Sequence, residues 1–493
     1  MFPILSGNVA SATAATTYDV ANSCRFNDGD SPSLEKTSGT PTSGVKGTFS
    51  FWFKRGELGT SATKYFISTN DISTPYFQMY IGTSSAQQDS IRVQVFTGGT
   101  TTELITSRKF RDPSSWYHCV FSYDSTPSTP SSSSIRLFIN GVQETAFSTE
   151  TYPSQNAGHN FEEGNIMVGA ANSGPENFFD GYLAEFVYCD GQAYAASDFG
   201  EFDSDSPTIW KPKDVSGLTF GDEGFWLDFE ASANLGNDAN GGTDLSEVNI
   251  AAIDQCTDSP TNNFCTINPI ANSYYGNNVF SEGNCKVTWD GDQSARQEMG
   301  TFGLTAGKWY WEWKMTDMAS EDTVIFGIVD RPTINTNDYL AGLPTSPYFA
   351  SIYGYGFRSG TSTTEVYNQN SAATSGFSIQ WDNDDDGIIV GCALDLDNNK
   401  IYFHRAGTWG GSGDPAAGSN GISITAATST TGGQYFPVFG TRSSHDYVNE
   451  MNFGNPSFTG TDQADDNGYG SFEYDVPAGF YAICSKNLGE FGG

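Results

Sequence analysis

Thr48-Phe-Ser-Phe-Trp-Phe-Lys54 and Lys308-Trp-Tyr-Trp-Glu-Trp-Lys314 decide how this chain folds. In the first, Phe49, Phe51 and Phe53 recur every second residue; in the second, Trp309, Trp311 and Trp313 do, with Tyr310 and Glu312 between them. A period of two puts alternate side chains on opposite faces of a strand, so each stretch predicts a strand with one heavy aromatic face turned to a core. Ile91, Val93 and Val95 repeat the pattern against Arg92 and Gln94. Further strands read at Tyr65-Phe-Ile, Tyr76 to Ile81, Trp116 to Tyr123 and Ile135 to Ile139, the last running into Asn140-Gly141. That dipeptide tolerates positive φ at both central positions of a tight hairpin, and Val142-Gln143 starts the return strand. Gly387 to Asp397, the Asn398-Asn399 turn and Lys400 to His404 form a second hairpin of the same kind. Short strands at regular spacing, separated by Thr/Ser/Asn/Gly clusters and without helical periodicity, predict an all-β chain of sandwiches or jelly rolls.

Composition agrees. Among 493 residues there are 36 Phe, 24 Tyr, 10 Trp and 55 Gly, and only 16% are charged. Aromatic residues favour pleated, half-buried positions, and Gly, Asn and Ser make turns. With 23 Lys+Arg against 58 Asp+Glu the net charge is −35, which argues against nucleic acid, whose binding needs a cationic surface. No apolar run approaches the roughly 20 residues of a membrane-spanning helix. The N-terminus lacks a basic flank and a long apolar stretch, so no signal peptide is expected. Eight cysteines are scattered without any Cys-x-x-Cys pair, which predicts free buried thiols rather than a zinc site or disulfide framework.

The chain divides on this reading into an N-terminal arm (1–20), a first sandwich (21–228), a turn-rich linker (229–262) and a second sandwich (263–493). Within the first, Trp116-Tyr-His118, Phe121 to Asp124, Arg136 to Val142 and the closing Phe179 to Tyr188 resemble laminin-G-like (concanavalin A-like) domains. Within the second, the Gly307-Lys-Trp-Tyr-Trp-Glu312 strand, the Gly391-Cys-Ala-Leu-Asp-Leu-Asp397 hairpin, Asn452-Phe-Gly454 and Pro477-Ala-Gly-Phe480 resemble a SPRY domain. Between them, Gly224 to Glu230, Leu235-Gly-Asn-Asp238 and Asp258 to Pro269 resemble a segment joining such domains in virion proteins of marine bacteriophages. Pro3 to Asn8 and Phe26 to Pro32 resemble the same group.

The resemblance implies two concanavalin A-like or jelly-roll sandwiches that bind through loops. It implies a tail-fibre or head-surface protein at the virion surface, gripping a host-surface glycan or protein and assembled with other virion proteins, as a homo-oligomer such as a trimer. An enzyme is not expected: a depolymerase needs two carboxylates across one cleft, and Asp180 and Glu185, five apart, point to opposite faces. A depolymerase in the first sandwich and a purely structural cement protein are the alternatives. Aromatics beside glycines make Tyr353, Tyr355 and Trp409 candidate ligand contacts against a core role. No cofactor is expected. Asp382, Asp384 and Asp386 open like a calcium loop, but Ala393 stands where a twelve-residue loop wants Glu, and a solvated acidic turn is the plainer reading. The histidines 118, 159, 404 and 445 share no ligand spacing; His118 and His404 fall inside strands, and a packed or surface histidine is expected there rather than a ligand or base.

Overall fold

In the computed structural model, the described residues are 18–59, 62–69, 75–82, 87–99, 101–162, 164–171, 176–271, 278–289, 296–318, 323–330, 354–359, 365–368, 371–375, 386–442 and 447–493. Almost all regular structure is strand; among these residues one α-helix appears, Ser485–Phe491. None of their helices is long and apolar enough to cross a membrane. Two compact units divide at Asn262/Asn263, with Ser281–Gly283 grouped with the first.

The first unit packs two sheets face to face. One runs Val142–Gln143, Ile135–Ile139, Tyr117–Asp124, Lys46–Arg55, Gly181–Asp190, Ser23–Phe26, Gln255–Cys256, with Phe225–Leu227 also paired to Gly181–Asp190. The other runs Phe147–Thr151, Thr101–Thr106, Ile91–Phe96, Tyr76–Ile81, Lys64–Thr69, Asn165–Val168, Ser33–Thr37, Ser246–Val248. The aromatic period does what it predicts. Phe49, Phe51 and Phe53 are all fully buried, Phe49 stacking on Phe77 at 5.1 Å and Phe51 meeting Phe66 at 4.9 Å across the sandwich. Asn140 and Gly141 turn with φ of 48° and 78°, as a two-residue hairpin requires. On Gly181–Asp190 the register shifts between Ala184 and Val187, and Glu185 has φ of 47°. This bulge lets Leu183 and Phe186, three residues apart, both reach the core while Glu185 is turned outward.

Residues 229–262 are not a linker, contrary to the composition-based reading. Phe229, Leu235 and Leu245 belong to the first core, Ser246–Val248 pairs with Ser33–Thr37, and Gln255–Cys256 pairs with Ser23–Phe26. Asp258 ends the segment in a buried ion pair with Lys54 at 2.7 Å. Turn residues dominate here because each edge strand is two or three residues long. Of the expected arm, residues 1–17 lie outside the described set; Tyr18 and Val20 pack on a cluster with Trp52 and Trp116.

The second unit is also a sandwich. One sheet carries Asn278–Ser281, Lys286–Trp289, Tyr447–Asn452, Lys308–Met318, Ile389–Asp395, Lys400–Arg405 and Thr408–Trp409; the other carries Arg296–Met299, Phe436–Arg442, Thr323–Val329, Gly354–Ser359, Glu365–Asn368 and Ser371–Ser375. Trp309, Trp311 and Trp313 are fully buried, and Trp313 lies between Phe326 and Phe439 at 5.6 and 5.5 Å. Tyr310 and Glu312, on the opposite face, are buried too, because Phe472 and Phe480 cover that side.

Candidate ligand-binding face

Cross-strand register brings together residues that are far apart in the chain. On Tyr76–Ile81 and Ile91–Phe96 the pairs are Tyr76 with Phe96, Gln78 with Gln94 and Tyr80 with Arg92. Gln94 pairs onward with Glu103, and Tyr80 in the other direction with Tyr65. Because Phe77, Met79, Val93 and Val95 fill the core, alternation sends these partners to the outer face of the second sheet. The result is a patch of four rings, two amides, one guanidinium and one carboxylate.

The patch is ordered by its own contacts. Tyr65 and Tyr80 stack at 4.8 Å, and Tyr76 and Phe96 lie 5.3 Å apart. The Arg92 guanidinium sits 5.5 Å from the Tyr80 ring centre. Tyr80 donates its hydroxyl to Gln94 Oε1 (3.1 Å), so the Gln94 amide nitrogen points to Glu103 Oε1 (2.9 Å), which also accepts Arg92 Nε (2.6 Å). Burial pushes the Tyr65 phenol up to about 12 and raises Tyr76 and Tyr80 as well, against the pull of Arg92; all three act as neutral donors at ordinary pH. Among the described residues, every hydrogen bond of the Glu103 carboxylate falls on Oε1, leaving Oε2 for a partner from solution. Planar, pre-oriented acceptors and donors beside aromatic faces suit a polyhydroxylated ligand, whose C–H faces stack on rings while its hydroxyls bond at the edges.

The outer face of the opposite sheet holds a pair that resembles a nucleophile and its base. Ser50 Oγ and His118 Nε2 are 2.9 Å apart, and Glu185 lines the same small cavity. The tautomer rules the resemblance out. Trp210 Nε1, a donor only, bonds His118 Nδ1 at 3.0 Å, so the ring proton lies on Nε2 and is donated to Ser50. His118 therefore cannot take the serine proton, and burial drives it down to about 3. Glu185 instead accepts Tyr18 Oη and Trp226 Nε1, each at 3.1 Å, and burial pushes it up to about 8. Asp180 sits elsewhere, near Asp28, Lys64 and Glu57, and burial raises it to about 7.

Of the sequence candidates, Tyr353, Asp382 and Asp384 lie outside the described residues. Tyr355 falls on Gly354–Ser359 and Trp409 on Thr408–Trp409, which belong to different sheets of the second unit. Trp409 is half-buried, edge-on to His404 at 4.8 Å and to Tyr402 at 6.5 Å, so one side of it is committed to packing. Asp386 is exposed in a turn, and no group of three or more His, Cys, Asp or Glu among the described residues is arranged to hold a metal. The sequence reading missed the Tyr/Gln/Arg/Glu patch. Its one trace is the alternation of Arg92 and Gln94, which marks an outward face but not what stands beside it.

A family profile described as the concanavalin A-like lectin/glucanases superfamily matches residues 28–193. Among solved structures, the SPRY domain of human HERC1 is 13% identical, with 38% of this chain and 96% of that one covered and a TM-score of 0.27. A putative carbohydrate binding protein from Bacteroides ovatus is 14% identical, covering 47% of this chain and 58% of that one, with a TM-score of 0.33. Domain 4 of AbnA, an extracellular arabinanase from Geobacillus stearothermophilus, in complex with arabinotriose, is 20% identical, covering 32% and 65%, with a TM-score of 0.23. A search of the curated proteins finds no match. The matched region carries a concanavalin A-like fold, and the patch lies inside it.

Proposed function

We propose that this chain is an adhesion protein of a bacteriophage particle, binding a host-surface glycan through the outer face of the first sandwich. The observation that carries the glycan part is the ordered set Tyr65, Tyr76, Tyr80, Phe96, Gln78, Gln94, Arg92 and Glu103, with an open carboxylate oxygen at its edge. The virion part is supported by the sequence resemblance of the 224–269 segment and the N-terminal strings. Binding, not cleavage, fits the patch: Glu103 is held by Arg92 and Gln94 rather than facing a second carboxylate across the about 5–10 Å a glycosidase uses. Repeated copies on one particle, in a trimer or another oligomer docked on other virion proteins, turn modest single-site affinity into avidity. A glycan array on the purified chain, with labelled antibody localisation on intact particles, tests both parts. Glycan-selective binding with surface labelling supports the proposal. Glycan cleavage by the isolated chain contradicts it, as does a particle in which the patch is covered by other subunits.

A further inference from the structure

The excursion between Asp190 and Phe220 crosses the outer face of the first sheet and builds a groove there. Its two-stranded ribbon pairs Gly200–Phe202 with Trp210–Pro212, placing Phe202 opposite Trp210. The groove encloses about 350 Å³ between Phe138, Gly141, Ala195, Ser197, Phe202, Trp210 and Lys213, among others. That volume falls at the lower end of small-molecule sites and holds a sugar ring with part of a second.

Three features make it a built site. Trp210 is locked: its indole N–H bonds His118 Nδ1, and the chain passes so close that a Cβ at Gly141 or Gly200 would stand 2.3 or 2.5 Å from its ring. Phe202, edge-on to Trp210 at 4.9 Å, is 44% exposed and so presents ring surface to the groove. At the groove's edge Lys213 bonds a neutral carbonyl, Ser197 O, at 3.1 Å and has no carboxylate partner among the described residues. Its neighbour Lys211 is by contrast neutralised by Glu201 at 3.5 Å and Asp203 at 3.3 Å.

We propose that this groove is a second saccharide site, on the sheet opposite the Tyr80 patch, and that it takes an acidic sugar. A uronate stacks its ring on the Phe202–Trp210 wall and places its carboxylate against Lys213 Nζ, with the exposed Ser197 hydroxyl beside it. Glu201, also lining the groove, is paired with Lys211 rather than with Lys213. A second copy of this chain is a poorer occupant, because it brings its own charge of −35.

The test is calorimetric titration of the full chain with trigalacturonate and with neutral maltotriose at low and at physiological salt. The proposal expects trigalacturonate to bind at least tenfold tighter than maltotriose, and to weaken as salt rises. It expects Lys213→Gln to lose tenfold or more, Lys213→Arg to retain binding, Phe202→Ala to lose several-fold, and Val279→Ala, an exposed change in the second unit, to leave trigalacturonate affinity unchanged. Thermal melts establish that these surface variants remain folded. Equal affinity for both trisaccharides overturns the proposal, as does wild-type affinity in both Lys213→Gln and Phe202→Ala. So does a self-association, seen by sedimentation, that Phe202→Ala abolishes while no trisaccharide binds.

Discussion

Asp258→Asn tests whether the 229–262 segment is part of the first sandwich. Asp258 is fully buried; Oδ2 accepts Lys54 Nζ at 2.7 Å and Oδ1 accepts Trp116 Nε1 at 2.9 Å. Lys54 is itself buried on the central Lys46–Arg55 strand. Asparagine keeps one oxygen and turns an N–H₂ toward Lys54 or Trp116, and it removes the negative charge that faces the buried Lys54 ammonium. Removing one partner of a buried pair costs about 3–5 kcal/mol. At about 2–4 °C per kcal/mol for a unit of this size, the first unit should melt about 6–20 °C lower. Denaturant melts give the free energy, and hydrogen exchange along Lys46–Arg55 and Tyr117–Asp124 assigns the loss to this unit. The paired variant Lys54→Met/Asp258→Leu removes both charges and should recover most of it. A single-variant loss below about 1 kcal/mol would refute the reasoning.

Other outcomes follow from the same geometry. Ending the chain at residue 228 should unfold the first sandwich, because Phe229, Leu235 and Leu245 leave its core; native-like circular dichroism and a cooperative melt from such a fragment would count against this. Glu185 and Asp180 hold their protons to about 8 and about 7 in the folded chain, against 4.5 and 3.8 when unfolded. Since the folded state binds these protons more tightly, their stabilisation is complete below about pH 4 and lost as pH rises toward 8. Melts of Glu185→Gln and the wild type at pH 5 and pH 8.5 should therefore differ more at the alkaline end, with the wild type the weaker there. All eight cysteines are buried and free, so a thiol reagent should find almost none in the native chain and eight after denaturation.

The strands and their inward faces were legible because a period of two survives in any local window: Phe49, Phe51 and Phe53, and Trp309, Trp311 and Trp313, occupy the core as their spacing requires. His118 and His404 are buried, which a strand position alone does not decide. Tyr310 and Glu312 defeat the same logic, because a covering layer from Phe472 and Phe480 is supplied more than 150 residues later. Edge strands as short as Ser246–Val248 carry no period and read as turns. The Tyr80 patch was invisible for a related reason. It exists only in the registers that set Tyr80 beside Arg92 and Gln78 beside Gln94 and Glu103, and register is a property of pairs of strands.

The most direct test is titration of an array-selected oligosaccharide into the wild type, Tyr76→Ala and Gln94→Ala, each verified to be folded. The account predicts measurable binding by the wild type and a loss of about five- to thirtyfold in each variant, since a stacked ring or an oriented amide contributes about 1–2 kcal/mol. Undiminished affinity in both variants would contradict it, and so would a wild-type chain that binds no glycan at all.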